Sequence, residues 1–531
     1  MRASAAHGSR GALVIGDRRV SFDELLDRAR EAARGLASLG IGRGSRVAAF
    51  MPNCEELVEI LFAMAMLGAV AIPVNSRFRL RELLHIARDA RPAMFVTLAT
   101  AAEHSDHVER LAKMASELPS QERPLLVALG DDSERAEAHG MLTGAQLAAA
   151  GVQVSDSTLE DARARVRVRD LAAILYTSGT TAAPKGCLHT HEALVRNAIV
   201  TGRTRFLLGP EDRFWDPLPM FHVSFLTPLL ACVDAGAQML AMDRFEPESA
   251  LDLIERERAT WVFAAFKAIA GPLIAAESFP RRSLSSVRMT MLVGLEPELR
   301  AFQAAFGSAQ LLSTYGSTET GGVITYHEPD ASDEQRVSTC GTAFRGVELA
   351  IGALESEGLA APDTVGEILV RGYSVLDGYL NDPDATAAAL DADGWLHTGD
   401  LGRLDADGQL RFEGRLKDMI KVGGENVSPA EVEALLAEHP AIVCAYVVAA
   451  PDPRLDEVVA AFAQLAPGTT ASADELIAFC AENLARYKVP RHVRFVDGWP
   501  MSATKVRKDV LRDTIAAELA GDAAPAGIVS R

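Results

Sequence analysis

The 531-residue chain has no cysteine pair at CxxC spacing, no unbroken apolar run of membrane-spanning length, no excess of positive charge and no internal repeat. Each absence excludes something. The six cysteines, at 54, 187, 232, 340, 444 and 480, stand far apart, which speaks against a zinc site or a disulfide framework and for buried, reduced thiols. The start, MRASAAHGSRGALVIGDRR, lacks an apolar segment of signal-peptide length. The run LVEILFAMAMLGAVAIPV (57–74) is broken by Glu59, Gly68 and Pro73, so it reads as a buried helix followed by a strand, with no membrane span. A cytoplasmic protein is expected. Acids outnumber bases, 72 against 53, for a formal charge of −19. That balance excludes a general nucleic-acid or anionic-membrane binder, because no broad positive field gathers phosphates.

What is present is ordinary globular material, 48% apolar and 24% charged, in a chain too long for one hydrophobic core. At least two domains follow. Ser21 and Glu24 have capping-box spacing before a helical run that ends near Gly40, and RVAAFMP, AIPV and AMFVTL alternate with helical stretches. This alternation predicts a layered α/β fold with largely parallel strands. A charge- and alanine-rich segment, 130–168, reads as peripheral helix and loop separating two α/β blocks, the second running from about 170 to 330. From 337 to 413 glycine-punctuated short strands predict a β-rich subdomain. After GRLKD, a helix with Ser428 as N-cap, the strand AYVVAA, the helix ADELIAFCAENLA and the strand HVRFV predict a compact α+β tail domain.

Several short stretches carry candidate chemistry. YTSGTTAAPKG (176–186) offers hydroxyls from Thr177, Ser178, Thr180 and Thr181, backbone freedom at Gly179 and a cation at Lys185. The GxxxxGK[ST] pattern is absent, so composition alone leaves a phosphate loop and a polar turn equally open. YGSTETGG (315–322) supplies Tyr315 for stacking on a base, Gly316, Thr318, and Glu319 as a magnesium ligand or simply a solvated carboxylate. Asp400, closing HTGD, suits a ribose or a turn. GRLKDMIKVGGENVSP places Arg415, Lys417 and Lys421 beside Gly423 and Gly424, as a hinge delivering a lysine or as a solvated linker. Lys505 lies in the small-residue loop of PMSATKVRKDVLR.

Together the types, order and spacing of these motifs resemble the adenylate-forming superfamily of acyl-CoA ligases, peptide-synthetase adenylation domains and firefly-luciferase-like enzymes, from about residue 11 to 512. The resemblance implies an α/β fold with a large multi-part N-terminal domain, 1–416, made of two layered α/β blocks and a β-rich subdomain, and a small mobile α+β domain, 417–531. It implies ATP, Mg2+ and coenzyme A, a small-molecule carboxylic acid, no nucleic acid, and a homodimer as the default assembly. In such enzymes a carboxylate attacks the ATP α-phosphate to give acyl-AMP and pyrophosphate, and a thiol then attacks the acyl carbonyl. Carried onto this sequence, 176–186 resembles the loop holding the β and γ phosphates, Tyr315 the adenine platform, Thr318 a phosphate contact and Glu319 the magnesium ligand. Asp400 and Arg415 match the ribose contacts, Lys417 the hinge, Lys421 with Gly423 and Gly424 the thioester-forming side, and Lys505 the adenylation lysine. MFHVSF (220–225) is similar to the acyl-CoA ligase version, nearest the carnitine and medium-chain ligases, with Phe221, His222, Gly294, Ala264 and Ala265 at the acyl pocket.

Three departures stand against this pattern. Ala182 replaces a glycine of the phosphate loop, and one residue is missing before Lys505, where the family reads TGK. Ala264, Ala265 and Phe266 occupy a segment that commonly reads GVP, which points to a bulky or branched apolar acid. Two departures bear on adenylation and none on thioester formation, so beside the full ligase stand a half-reaction enzyme that uses a supplied acyl-AMP and a non-catalytic acyl- or adenylate-binding protein.

Overall fold

The computed structural model describes residues 1–99, 106–130, 132–177, 184–354, 358–422, 425–502 and 505–521, without the side chains of Glu425, Asn426, Ser502 and Lys505. Two seven-stranded sheets form the larger part. One runs in the order Gln310–Leu312, Met289–Val293, Trp261–Phe266, Arg213–Asp216, Gln238–Ala241, Gly11–Ile15, Arg18–Ser21 and is parallel except for the last pair. The other runs Leu142–Thr143, Leu125–Leu129, Met94–Leu98, Arg46–Phe50, Val70–Val74, Leu171–Thr177, Lys185–Thr190, again with only the last pair antiparallel.

The two layered blocks are thus present, but they are not consecutive stretches of chain. Leu171–Thr177 and Lys185–Thr190 complete the sheet of the first block, and Gly11–Ile15 crosses to the second, pairing with Gln238–Ala241. Hydrophobic period sets which face of a strand is buried and is silent on which distant strand it meets, so the expected break at 130–168 misplaced these strands. That segment is also no mere periphery. Its helix Gly144–Gly151 lies so close to Phe22–Ser38 that a Cβ on Gly151 would stand 2.7 Å from the Gly35 nitrogen.

Local signals held where they were strong. Ser21 accepts from the Glu24 N–H, and the Glu24 carboxylate returns to the Ser21 N–H, closing the capping box at the head of Phe22–Ser38. Glu55–Leu67 is a helix stopped by Gly68 at φ 67°, and Val70–Val74 is a strand buried at all five positions, as a central parallel strand should be. A four-stranded antiparallel sheet follows: Val347–Gly352, Gly366–Gly372, Leu396–Leu404 and Leu410–Arg415.

The tail forms a separate mixed sheet from Ile420–Val422, Glu425–Val427, Ile442–Asp452, Asp456–Leu465 and His492–Phe495. Helices Pro429–Ala437 and Ala473–Asn483 cover one apolar cluster, and Lys508–Ala520 covers the other. Ser428 does stand at the N-cap of Pro429–Ala437, yet its hydroxyl donates to the Glu413 carbonyl and makes no cap bond. Among the described residues no helix is long and apolar enough to cross a membrane.

Candidate active site

The carboxyl ends of adjacent parallel strands form the edge on which open α/β sheets bind ligands. Here Arg213–Asp216 leads into Phe221 and His222, Trp261–Phe266 carries Ala264 and Ala265, Met289–Val293 leads to Gly294, and Gln310–Leu312 leads to Tyr315. His222 stands at the N-cap of Val223–Ala235, its ring centroid 4.4 Å from that of Phe221. Ala264 is fully buried, and Ala265 holds a left-handed φ of 52° where a bulge shifts the register against Met289–Val293. A Cβ on Gly294 would stand 2.7 Å from Glu298 Oε2.

The second group gathers around Asp400, which is 3% exposed. The Tyr315 hydroxyl donates to Asp400 Oδ2 at 2.8 Å, and Arg415 Nε stands 2.9 Å from Asp400 Oδ1. Asp400 and Arg415 face each other across the register of Leu396–Leu404 and Leu410–Arg415, so the sheet itself brings the ion pair together. Burial, reinforced by the Asp400 charge, pushes the Tyr315 phenol well above its usual range and keeps it a donor. The ring stacks on Phe412, centroids 6.1 Å apart. Gly316 pairs with Val323, and a Cβ there would stand 2.3 Å from the Gly322 carbonyl oxygen, so this hairpin requires glycine. The Thr318 carbonyl accepts from the Gly321 N–H at 3.0 Å, closing the turn that presents Glu319.

Thr177 and Lys185 are register partners at the ends of two antiparallel strands. The assignments to Ser178, Gly179, Thr180, Thr181 and Ala182 lie outside the described residues. Lys185 Nζ stands 3.7 Å from Asp382 Oδ2 and 5.2 Å from the centroid of Tyr379. The Tyr379 hydroxyl donates to Glu319 Oε1 at 3.2 Å. Burial raises this phenol as well, with the Glu319 charge adding to the effect. Among the described residues no group of three or more His, Cys, Asp or Glu side chains forms a ready cation cage. A single carboxylate in a glycine- and threonine-rich loop suits magnesium, which keeps waters and draws other ligands from substrate phosphates.

Lys417 lies in the single turn Leu416–Asp418; burial lowers its ammonium pKa, Asp418 opposes that, and the Arg415 and Arg512 guanidiniums add to it. Lys421 is exposed on Ile420–Val422, its backbone N–H donating to Glu457 Oε2 at 2.9 Å. Gly423 and Gly424 lie outside the described residues. Lys505 opens the strand Lys505–Val506 opposite Ser502, with its side chain outside the description. Sequence reasoning missed Tyr379, Asp382 and Phe412. The signal for the first two was DGYLNDPDAT, one tyrosine in an acidic segment punctuated by glycine and proline.

Comparison with known proteins agrees with this geometry. The family model described as AMP-binding enzyme matches residues 1–380, and that described as AMP-binding enzyme C-terminal domain matches 431–506. A 3-[(3aS,4S,7aS)-7a-methyl-1,5-dioxo-octahydro-1H-inden-4-yl]propanoyl:CoA ligase from Mycobacterium tuberculosis is 36% identical, over 94% of this chain and 95% of its own. The 4-coumarate–CoA ligase 4 of Arabidopsis thaliana is 33% identical, over 92% of this chain and 85% of its own. The structure of o-succinylbenzoate CoA synthetase from Bacillus subtilis, in complex with its acyl-adenylate intermediate, superimposes with a TM-score of 0.77 at 27% identity, covering 97% of both chains. The chain belongs to the AMP-binding enzyme family, as an acyl-CoA synthetase of the adenylate-forming superfamily whose substrates are ATP, CoA and a carboxylic acid and whose metal is Mg2+.

Proposed function

We propose that this enzyme catalyses both half-reactions of an acid:CoA ligase on a bulky apolar acid. A carboxylate oxygen bonds to the ATP α-phosphorus as pyrophosphate leaves, and the CoA sulfur then bonds to the acyl carbon as AMP leaves. In this reading Tyr315, stacked on Phe412 and tied to Asp400, is the adenine platform; Gly316 lets the backbone approach. Asp400 and Arg415 take the ribose hydroxyls. Lys185, with Thr177 and the 178–181 positions, holds the β and γ phosphates, and Thr318 contacts phosphate. Glu319 holds the Mg2+, which neutralises phosphate charge. Positioned cations and oriented donors are what an in-line phosphoryl substitution requires. Lys505 serves adenylation. Lys421, with Gly423 and Gly424, serves thioester formation after the tail domain, beginning at residue 417, turns about Lys417.

His222, Phe221, Gly294, Ala264 and Ala265 bound the acyl pocket. Support for a bulky apolar acid comes from the two small alanines in the wall and from relatives named for a bicyclic propanoate and for 4-coumarate. The free, mostly buried cysteines support action in the cytoplasm.

The observation that carries the ligase reading is the meeting of Lys185 and Glu319 around Tyr379 beside the Tyr315, Asp400 and Arg415 cluster. The test is acid-dependent exchange of labelled pyrophosphate into ATP without CoA, across aliphatic, aromatic and polycyclic acids. Exchange with a polycyclic or aromatic acid, followed by thioester formation on adding CoA, is expected. The register pairing of Ser502 with Lys505, in a segment one residue shorter than the family pattern, supports a second reading in which adenylation is impaired. Absence of exchange with every acid, together with conversion of a synthetic acyl-adenylate to its CoA thioester, would establish that reading instead.

A further inference from the structure

We infer that Tyr379 is a positioning residue that holds the Glu319 carboxylate for magnesium while keeping it from neutralising Lys185. The inference rests on the reading of Glu319 and Lys185 as the Mg2+ and phosphate ligands. Two opposite charges at the ends of neighbouring loops attract each other, and a direct pair would block both ligands. Among the described residues no ion pair joins them. The Tyr379 ring lies between, presenting its hydroxyl to Glu319 Oε1 at 3.2 Å and its face to the Lys185 ammonium, 5.2 Å from the centroid.

The ring is itself fixed by backbone. The Tyr379 N–H donates to Thr386 Oγ1 at 2.9 Å, Leu380 N–H to the Gly186 carbonyl at 2.8 Å, and Leu188 N–H to the Gly378 carbonyl at 3.0 Å. On the other side the Leu376 N–H donates to the Glu319 carbonyl at 2.8 Å. Residues 376–382 therefore form a strap that ties the strand leaving the phosphate loop to the backbone of Glu319. Asp382 ends the strap; it caps Pro383–Ala389 through the Ala385 N–H at 2.9 Å and offers its other oxygen to Lys185 at 3.7 Å. Lys185 is thus parked on an anchored, half-exposed carboxylate that triphosphate can outcompete. The phenol donates one hydrogen bond to Oε1 and leaves Oε2 for the metal.

The experiment compares wild type with Tyr379→Phe, which removes the hydroxyl and keeps the ring. Binding of Mn2+ to the enzyme complex with α,β-methylene-ATP is followed by electron paramagnetic resonance, without acid or CoA, and the Mg2+ dependence of pyrophosphate exchange is measured beside it. The expected result is Mn2+ affinity weakened by about fivefold, the scale of one lost hydrogen bond, an equal rise in the Mg2+ needed for half-maximal exchange, and recovery of kcat within about twofold at saturating Mg2+. In a Glu319→Gln background the same change should leave Mn2+ binding unaltered. Tyr379→Leu should in addition raise KM for ATP at saturating Mg2+. Wild-type Mn2+ affinity in Tyr379→Phe, or an equal weakening in the Glu319→Gln background, overturns the inference. A wild-type enzyme that binds Mn2+ and the analogue but supports no acid-dependent exchange overturns the full-ligase reading alone, and the Mn2+ comparison still decides this one.

Discussion

His327 is fully buried and uses both ring nitrogens: Nδ1 accepts from the Ser313 N–H at 3.3 Å, and Nε2 faces the Gln335 and Thr339 carbonyls at 3.0 and 3.1 Å. That set fixes a neutral tautomer, since a proton on Nδ1 would break the Ser313 bond two residues before Tyr315. Burial, with Arg336 adding to it, lowers its pKa to about 4; burial does the same to His189, which lies under the turn that carries Glu319. The folded state therefore resists protons that the unfolded chain takes up near pH 6.5. Stability from these two groups is complete above about pH 6.5 and is lost as pH falls towards about 4, at a slope approaching about 2.7 kcal/mol per pH unit. Chemical denaturation across that range checks the slope, and His327→Gln should remove about half of it. Neither histidine was legible as a site neighbour, because only the fold shows which loops they support. Tyr315, Asp400 and Arg415, grouped in the sequence by the order of their motifs, do meet in the fold, because the register of two neighbouring strands brings Asp400 opposite Arg415.

Ala265 shows what a strand can conceal. The strand Trp261–Phe266 is buried at its first five positions, yet a bulge at the fifth residue shifts the register against Met289–Val293 and leaves Ala265 with a left-handed φ of 52°. Alanine pays for that conformation with a Cβ clash that glycine avoids. Ala265→Gly should raise stability by about 0.5–1 kcal/mol, read as a higher Tm, with the acid preference moving towards larger substrates. Ala265→Val should lower it by about 2 kcal/mol, since a β-branched residue fits this region worst. Capping boxes, by contrast, were readable at Ser21 because donor and acceptor are three residues apart and need nothing from the rest of the chain. Ser428 had the right residue in the right place and still failed to cap, because the neighbouring sheet offered its hydroxyl the Glu413 carbonyl. Interleaving of the two large sheets was unreadable for the same reason at greater range: the partner of Gly11–Ile15 is chosen by packing.

At the scale of the whole molecule, one polar contact among the described residues joins the tail sheet to the end of the strand proposed above as the acyl wall. Lys267, next to Phe266, donates to Glu298 Oε1 at 2.5 Å and to the Val443 carbonyl of the tail sheet at 3.4 Å, and its ammonium faces the Cys444 thiol. Asp418 and Arg512, 3.0 Å apart, tie the turn Leu416–Asp418 to the last helix of the tail. If the two half-reactions use two orientations of this domain, the Lys267 contact stabilises one of them and a loss of about 1 kcal/mol shifts the population about fivefold towards the other. Lys267→Met, which keeps the stem and removes the charge, should then move pyrophosphate exchange and thioester formation from acyl-adenylate in opposite directions, because one population grows at the expense of the other. Measured on the same preparation, an equal fall in both rates would mean that Lys267 only shapes the pocket through Glu298. A fall in one with a rise in the other would show that the proposed acyl wall senses the position of the tail, and the rate that falls identifies the orientation in which Lys267 meets Val443.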